Sequence, residues 1–341
     1  MKNVIMLRLA AAGLMVCAFP AWAAEPMGPE AKAALAELSP QDRETTLQFE
    51  QSLHPTNGTV QVPGAHASLD LRDQYYFLPA ADAKRLLVDA WGNPPESVSD
   101  VLGMVFPKGR RFYDGSWGAV LTYQNSGHVD DKDAVSQDYD QVLADMKSGE
   151  EESNKATREA GYAGSVTLGW AQAPTYDAAN KTLIWARNIK FDNTKENTLN
   201  YDVRKLARTG VVSMNMVDGM NHLPLVKMAA IDLGKTVRLD EGSRYAEFNS
   251  STDETAEYGL AGLVAAGAGV AVAKKVGILG IILLFLKKGF VIVLAAAAGG
   301  WAWFKRKLGF GAAAAADEAD YSASSDVVVE GTEPEDPGKE A

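Results

Sequence analysis

The most regular part of the chain is a series of four short segments in which apolar and polar residues alternate. They are Ser165–Ala171, Thr182–Phe191, Leu199–Leu206 and Val211–Val217. Turn-forming residues separate them, so the pattern predicts four strands of an antiparallel meander. Within residues 199–204 the odd-numbered positions are apolar, whereas Asn200, Asp202 and Arg204 are polar. This alternation predicts one packed face and one face in contact with water.

The chain before this meander mixes helical and strand-like patterns. Helical spacing predicts helices at Pro29–Leu38, Pro40–Leu53, Ala80–Trp91 and in the polar region Asp133–Ala160. Period-two alternation predicts strands at Thr59–Val62, Ala67–Leu71, Gln74–Leu78, Val101–Phe106 and Trp117–Tyr123. The fold class that follows is α+β, an antiparallel sheet with helices packed on one side, followed by a C-terminal helical membrane anchor.

The N-terminus has the pattern of a secretory signal peptide over residues 1–23. Lys2 precedes an apolar run, and residues 21–23 read Ala-Trp-Ala. A basic start, a short apolar stretch and an Ala-x-Ala site predict cleavage after Ala23. The one cysteine, Cys17, lies within this leader. The mature chain therefore has no thiol for a disulfide, a nucleophile or a zinc ligand.

Residues 258–307 predict a helical membrane segment with one or two spans. Lysine pairs divide it into apolar runs of 16, 11 and 16 residues, and it has seven basic residues and no acidic one. Sixteen helical residues extend about 24 Å, a little less than the hydrocarbon core of roughly 30 Å, and lysine side chains can reach the headgroups. The expected membrane-contacting residues are Lys287, Lys288, Trp301, Trp303, Lys305, Arg306 and Lys307.

Residues 308–341 predict a disordered acidic tail. From Asp317 onward the tail has nine acidic residues and one basic residue, Lys339, a composition that disfavours a packed core. The whole chain has 33 Lys and Arg against 44 Asp and Glu, a net charge of −11. Because nucleic-acid binding needs clustered basic residues, this balance argues against a nucleic-acid partner. We expect the domain of residues 24–257 in the periplasm, anchored to the bacterial inner membrane.

Five short motifs in order along the chain carry a resemblance to a known family. They are Trp91–Pro95 (WGNPP), Gly169-Trp170, Pro174–Asp177 (PTYD), Leu183–Ala186 (LIWA) and Leu199–Arg204 (LNYDVR). With the apolar tail that follows, the set resembles the bacterial membrane-anchored family called domain of unknown function 2167. The resemblance implies an exported N-terminus, one family-specific domain and a C-terminal anchor. It implies no activity and no functional residue.

The densest acidic cluster contains Asp130, Asp131 and Asp133. Three carboxylates within four residues could hold a calcium ion, although the ligand order and the glycine of an EF-hand are missing. The alternative is that these acids favour the start of a helix, where negative charge is stabilising. The four histidines are scattered without metal-ligand spacing. We therefore expect no cofactor, with the three aspartates as weak metal candidates.

Three arginines lie on or beside neighbouring predicted strands. Arg187, Arg204 and Arg208 have the chemistry to bind a carboxylate or phosphate with two parallel hydrogen bonds. The alternative is that they pair with local acids such as Asp202. Arg187 and Arg204 are therefore candidate binding residues.

The stretch Pro174–Asp177 predicts a turn between two strands, with Tyr176 near its tip. Loops on a rigid scaffold often carry function, so Tyr176 is a third candidate binding residue. The alternative is a simple hairpin connection.

These features favour a non-enzymatic role: a membrane-anchored envelope protein that binds, senses or scaffolds. Its expected partners are the lipid bilayer, proteins on either side of the membrane, and further copies of the chain through the anchor helices. The alternative is an envelope hydrolase that acts on peptide or cell-wall material, with acids from residues 130–140 or a site around Arg204.

Overall fold

A computed structural model of the chain describes residues 27–134 and 137–267, which form antiparallel sheets packed against helices. The fold class predicted from the sequence is confirmed as far as α+β. The leader, most of the predicted membrane segment and the acidic tail lie outside the described residues. In the part of the chain that the structure describes, no helix is both long and apolar enough to cross a bilayer.

The strands form a large and a small antiparallel sheet. In chain order they are β1 Thr59–Val62, β2 Ala67–Asp70, β3 Tyr75–Pro79, β4 Val101–Pro107, β5 Gly118–Gln124, β6 Ser165–Asp177, β7 Thr182–Phe191, β8 Thr198–Leu206, β9 Val211–Gly219 and β10 Val237–Leu239. The large sheet has seven strands in the order β3-β4-β5-β9-β8-β7-β6, and the small one has the order β1-β2-β10. The predicted meander is thus confirmed as β6 to β9, each paired with the next.

Seven α-helices surround the sheets in the described residues. They are α1 Pro29–Ala36, α2 Pro40–Gln51, α3 Ala80–Arg85, α4 Tyr139–Ser148, α5 Glu150–Glu159, α6 Leu223–Thr236 and α7 Leu260–Gly267. The start of α2 follows its sequence signals, because the Ser39 hydroxyl accepts the Asp42 amide at 3.2 Å and Pro40 occupies the first turn. The chain continues from α3 through a π-helical turn, Leu86–Ala90, before the turn at Gly92.

Helices cover both faces of the seven-stranded sheet, so the predicted packing on one side is wrong. Tyr201 and Ala186 pack with Val226 and Ala230 of α6, together with the small sheet. Trp185, adjacent to Ala186 and therefore on the opposite face, packs with α7. The strands at the β3 end pack on this second face against α3 and the turn that follows it. The central strands β7 and β8 are buried at nearly every position, so both of their faces are packed. The prediction had assumed that one face of the sheet is in contact with water.

Three further elements differ from the sequence prediction. The polar region predicted as one helical stretch is two helices, α4 and α5, that meet at Gly149. The stretch Pro174–Asp177 is not a turn but the end of β6, where Thr175 is opposite Ile184 of β7. Helix α6 was not predicted, although its buried residues Val226, Ala230 and Leu233 have helical spacing.

Candidate functional site

Six polar or aromatic side chains occupy neighbouring positions on one face of β7, β8 and β9. They are Trp185, Arg187, Asn200, Asp202, Arg204 and Asn215, and we call them the arginine patch. In the register of the sheet, Asp202 is opposite both Trp185 and Asn215, and Arg187 is opposite Asn200. Because residues opposite each other in a sheet share a face, all six lie on the side covered by α7.

Asn200, Asp202 and Arg204 are buried, so the prediction of a wet face for these positions is wrong. Asn200 and Asp202 are 0% exposed, Arg187 is 2% exposed and Arg204 is 9% exposed. Helix α7 ends directly against the patch: a Cβ on Gly267 would lie 2.7 Å from Trp185 Cζ2 and 3.0 Å from Arg204 Nη2. Only glycine permits this approach without a shift of those side chains.

Two separate sets of hydrogen bonds connect members of the patch. Arg204 Nη2 donates to Asp202 Oδ1 at 2.8 Å, and the Arg204 guanidinium lies 5.3 Å above the Trp185 ring. Arg187 Nη2 donates to Asn200 Oδ1 at 2.8 Å, and Asn200 Nδ2 donates to Asn215 Oδ1 at 2.9 Å. Of the two candidate arginines, Arg204 therefore has the predicted aspartate partner, whereas Arg187 has a neutral amide.

Several polar atoms of the patch have no hydrogen-bond partner among the described residues. They are Trp185 Nε1, Arg187 Nε, Asp202 Oδ2 and Arg204 Nε. Burial lowers the pKa of the Arg187 guanidinium, an effect that the nearby Asp202 and Glu150 carboxylates oppose. A guanidinium nevertheless remains charged in proteins. The patch therefore holds a buried cation whose hydrogen-bonding capacity is incompletely used, an arrangement that favours an acceptor group.

The structure places the three candidate aspartates in different environments. Asp130 Oδ2 accepts Lys132 Nζ at 2.7 Å, and Asp133 Oδ2 accepts the Gln137 side chain at 3.0 Å. Asp131 is at the centre of a separate cluster, described next. Among residues 27–134 and 137–267, no group of three or more His, Cys, Asp or Glu side chains is arranged to hold a metal ion.

We call Asp131, Tyr176, Lys181 and Tyr245 the Asp131 cluster. Asp131 Oδ2 accepts the Tyr176 hydroxyl at 2.6 Å and Lys181 Nζ at 2.7 Å. The Tyr245 hydroxyl is shared between Asp131 Oδ1 at 3.1 Å and the Val129 carbonyl oxygen at 3.0 Å. Burial alone would raise the pKa of Asp131, but these hydrogen bonds outweigh it and hold that pKa below its usual range. The candidate Tyr176 therefore takes part in a link between β6, the loop at Asp131 and the segment at Tyr245.

The third arginine of the sequence analysis lies apart from the patch. Arg208 follows β8 and makes two hydrogen bonds with Asp253, at 2.7 and 2.8 Å. The candidate membrane-contacting residues, from Lys287 to Lys307, lie outside the described residues.

Asn200 and Asn215 were not predicted from the sequence as members of a site. A signal for Asn200 was present, because it alternates with apolar residues on β8 and occurs in the motif LNYDVR. A polar residue in such a pattern is ordinarily solvent-exposed, and only the packing of α7 shows that this one is buried.

Comparison with solved structures gives likenesses of low similarity, one of which is described here. The solution structure of cyanobacterial PsbP (CyanoP) from Synechocystis sp. PCC 6803 matches with 8% identity and a TM-score of 0.31, over 55% of this chain and 92% of that one. At this TM-score the likeness carries no argument about function. No curated protein matches the chain.

Comparison with family models gives a match that covers both the arginine patch and the Asp131 cluster. It extends over residues 54–298, well over half of the chain, and confirms the family indicated by the five motifs. The chain belongs to the family described as protein of unknown function (DUF2167).

Proposed function

We propose that the chain is a membrane-tethered binding module of the bacterial envelope. The leader exports the domain of residues 24–257 into the periplasm, and residues 258–307 hold it at the inner membrane. The domain binds its ligand through the arginine patch. The sequence supports the two ends of this proposal, through the Ala-x-Ala site and the lysine-separated apolar runs.

The observation that carries the binding role is the burial of the arginine patch on the central strands. On the opposite face of β8, Tyr201 and Val203 are fully buried in an apolar core. Apolar residues at positions 202 and 204 would satisfy packing on the patch face as well, and replacement of buried ion pairs by apolar residues is often neutral or stabilising. Folding therefore does not require charged residues at these positions. Recognition of a polar ligand would explain why they are charged.

The first experiment tests the location of the domain. The full chain with a C-terminal tag is expressed in a Gram-negative host, and its membranes are washed with alkaline carbonate. We expect the processed chain to remain in the membrane pellet. We also expect trypsin added to spheroplasts to digest the domain of residues 24–257.

A matched variant tests the leader. Ala23→Leu changes the small residue before the predicted cleavage site, so the product should keep the leader and migrate as a longer chain, whereas Ala10→Leu in the apolar run should still be processed. A full chain that is unprocessed and released by carbonate would contradict the tether. Peptide or cell-wall hydrolysis by the purified chain, abolished by Asp131→Asn, would instead favour the hydrolase.

A further inference from the structure

The unpartnered atoms of the arginine patch are mostly hydrogen-bond donors. Trp185 Nε1, Arg187 Nε and Arg204 Nε are donors, and Asp202 Oδ2 is the one acceptor in this set. The Trp185 side chain is 0% exposed and Arg187 is 2% exposed, so these donors are withdrawn from bulk water. Buried donors without acceptors are unfavourable, and a ligand with acceptor oxygens relieves this.

The register places the two arginines around a common centre. Asp202 and Trp185 are opposite each other, Arg187 is two positions along β7 from Trp185, and Arg204 is two positions along β8 from Asp202. Because β7 and β8 are antiparallel, the two arginines lie on opposite sides of this central pair. Arg204 leans toward the centre, as its contacts with Asp202 and the Trp185 ring show.

The charge of the patch is positive by one. Two guanidinium groups accompany one carboxylate, that of Asp202, within the patch. Glu150 also attracts Arg187, but both of its carboxylate oxygens accept the backbone amide of Thr167 at 3.0 Å. A singly charged oxyanion would therefore balance the charge of the patch and accept its free donors.

Access is favoured on the β9 side of the patch. Asn215 on β9 and Thr122 on β5 lie on the same face as Asp202 and are partly exposed. The apolar clusters on this face are centred elsewhere, at the α3 end and at the α7 end. We therefore place the approach of a small group to Arg187 on this side, past the partly exposed Thr122 and Asn215.

We propose that the arginine patch binds a single carboxylate group of a small ligand, held by Arg187 and Arg204 with the Trp185 indole N–H as an additional donor. This proposal rests on the proposed function only in taking the patch as the ligand site. The membrane fractionation can succeed while the titration below fails, so the two outcomes are distinguishable.

The test follows the Trp185 indole N–H signal by nuclear magnetic resonance. The full chain is labelled with ¹⁵N-tryptophan in detergent micelles, and the signal is assigned by its loss in Trp185→Phe. Sodium acetate is the probe, with sodium chloride at equal ionic strength as the control. We expect a saturating shift with acetate and none with chloride. Inorganic phosphate at pH 7.5, largely a dianion, should bind at least tenfold more weakly than acetate.

Three variants separate binding from folding. Arg187→Gln should weaken acetate binding at least tenfold, whereas Arg238→Gln, which removes an exposed arginine paired with Asp70, should leave it unchanged. Asn200→Asp places a carboxylate beside Arg187 Nη2, where the amide oxygen now lies at 2.8 Å. It should therefore abolish acetate binding while the midpoint of thermal unfolding stays the same or rises.

Three results would overturn the proposal. The first is a Trp185 signal that does not respond to acetate, and the second is tighter binding of phosphate than of acetate. The third is equal acetate binding by the wild type and by a folded Asn200→Asp variant, which would place the anion outside the patch.

Discussion

The arginine patch and the Asp131 cluster lie on the same side of the seven-stranded sheet, yet they use their charges differently. In the Asp131 cluster, one carboxylate accepts three hydrogen bonds from two tyrosines and a lysine. In the arginine patch, Arg187 has one amide partner, and its Nε has none among the described residues. The carboxylate of the Asp131 cluster thus has hydrogen-bond donors on both of its oxygens, whereas the arginine patch still has donors that could bind another group.

This difference separates a structural role from a binding role. A carboxylate that joins three segments of chain stabilises the fold, and its partners leave it little freedom to act on a ligand. A buried arginine with an uncharged partner contributes little to the stability of the fold, because its hydrogen bond does not offset the free-energy cost of removing the charge from water. The two clusters should therefore respond differently to the removal of their charges, as the following predictions state.

The largest expected effect is at Asp202, the one carboxylate of the patch. Asp202→Ala leaves the Arg204 guanidinium buried without its partner at 2.8 Å. Removal of one member of a buried ion pair costs about 3–5 kcal/mol, so urea unfolding of the full chain in detergent should show a loss of that size. A loss below about 1 kcal/mol would show that Arg204 finds another partner, and the patch would then be less constrained than we describe.

The next largest effect is at the centre of the Asp131 cluster. Asp131→Ala removes the acceptor for Lys181 and Tyr176, while Tyr245 keeps the Val129 carbonyl, and hydrogen bonds to a charged group contribute about 1.5–3 kcal/mol. We expect a loss of about 2 kcal/mol in the free energy of unfolding, with acetate binding at the patch unchanged. Loss of acetate binding in a folded Asp131→Ala protein would contradict this and would show that the two clusters act as one site.

Much of the fold could be predicted from the sequence because its signals are local. The meander follows from alternation and turn residues, and Ser39 with Pro40 fixes the start of α2. The side of the sheet on which each helix packs could not be predicted, since it depends on contacts between residues far apart in the chain. Helix α6 is a different case, because its local signal, the helical spacing of Val226, Ala230 and Leu233, is present in the sequence.

The candidate site was predicted in part, for a related reason. Arg187 and Arg204 were candidates because of their chemistry, and the sheet register does bring them to one face. Their burial was not predictable, because alternation on β8 gives the same pattern for a wet face and for a buried polar patch. The unpaired atoms of Trp185 and Arg187 are properties of the packed structure alone.

A smaller effect, of the opposite sign, is expected at Arg187. Arg187→Met keeps an unbranched side chain, although a shorter one, and removes a buried charge that has no carboxylate within ion-pair distance among the described residues. Such replacements are often neutral or stabilising, so the free energy of unfolding should stay the same or rise by about 1 kcal/mol, with acetate binding lost.

The matched control is Lys181→Met in the Asp131 cluster. Lys181 has a carboxylate partner at 2.7 Å and is partly exposed, so its removal should lower the free energy of unfolding by less than about 1 kcal/mol. If Arg187→Met destabilises the chain more than Lys181→Met does, Arg187 has a structural role and the contrast between the clusters is wrong.

The smallest effect concerns pH and isolates the charge of Asp131. The pKa of Asp131 is lower in the folded chain than its ordinary value, so the charge stabilises the fold above the unfolded pKa of about 3.9. That stability is lost as the pH falls through the folded pKa. Asp131→Asn keeps the shape but not the charge, and should therefore cost about 1 kcal/mol at pH 7 and almost nothing near pH 2. Because the amide oxygen of asparagine can still accept one tyrosine hydroxyl, the loss is smaller than for Asp131→Ala. A wild-type advantage that persists undiminished at pH 2 would show that the charge is not its source.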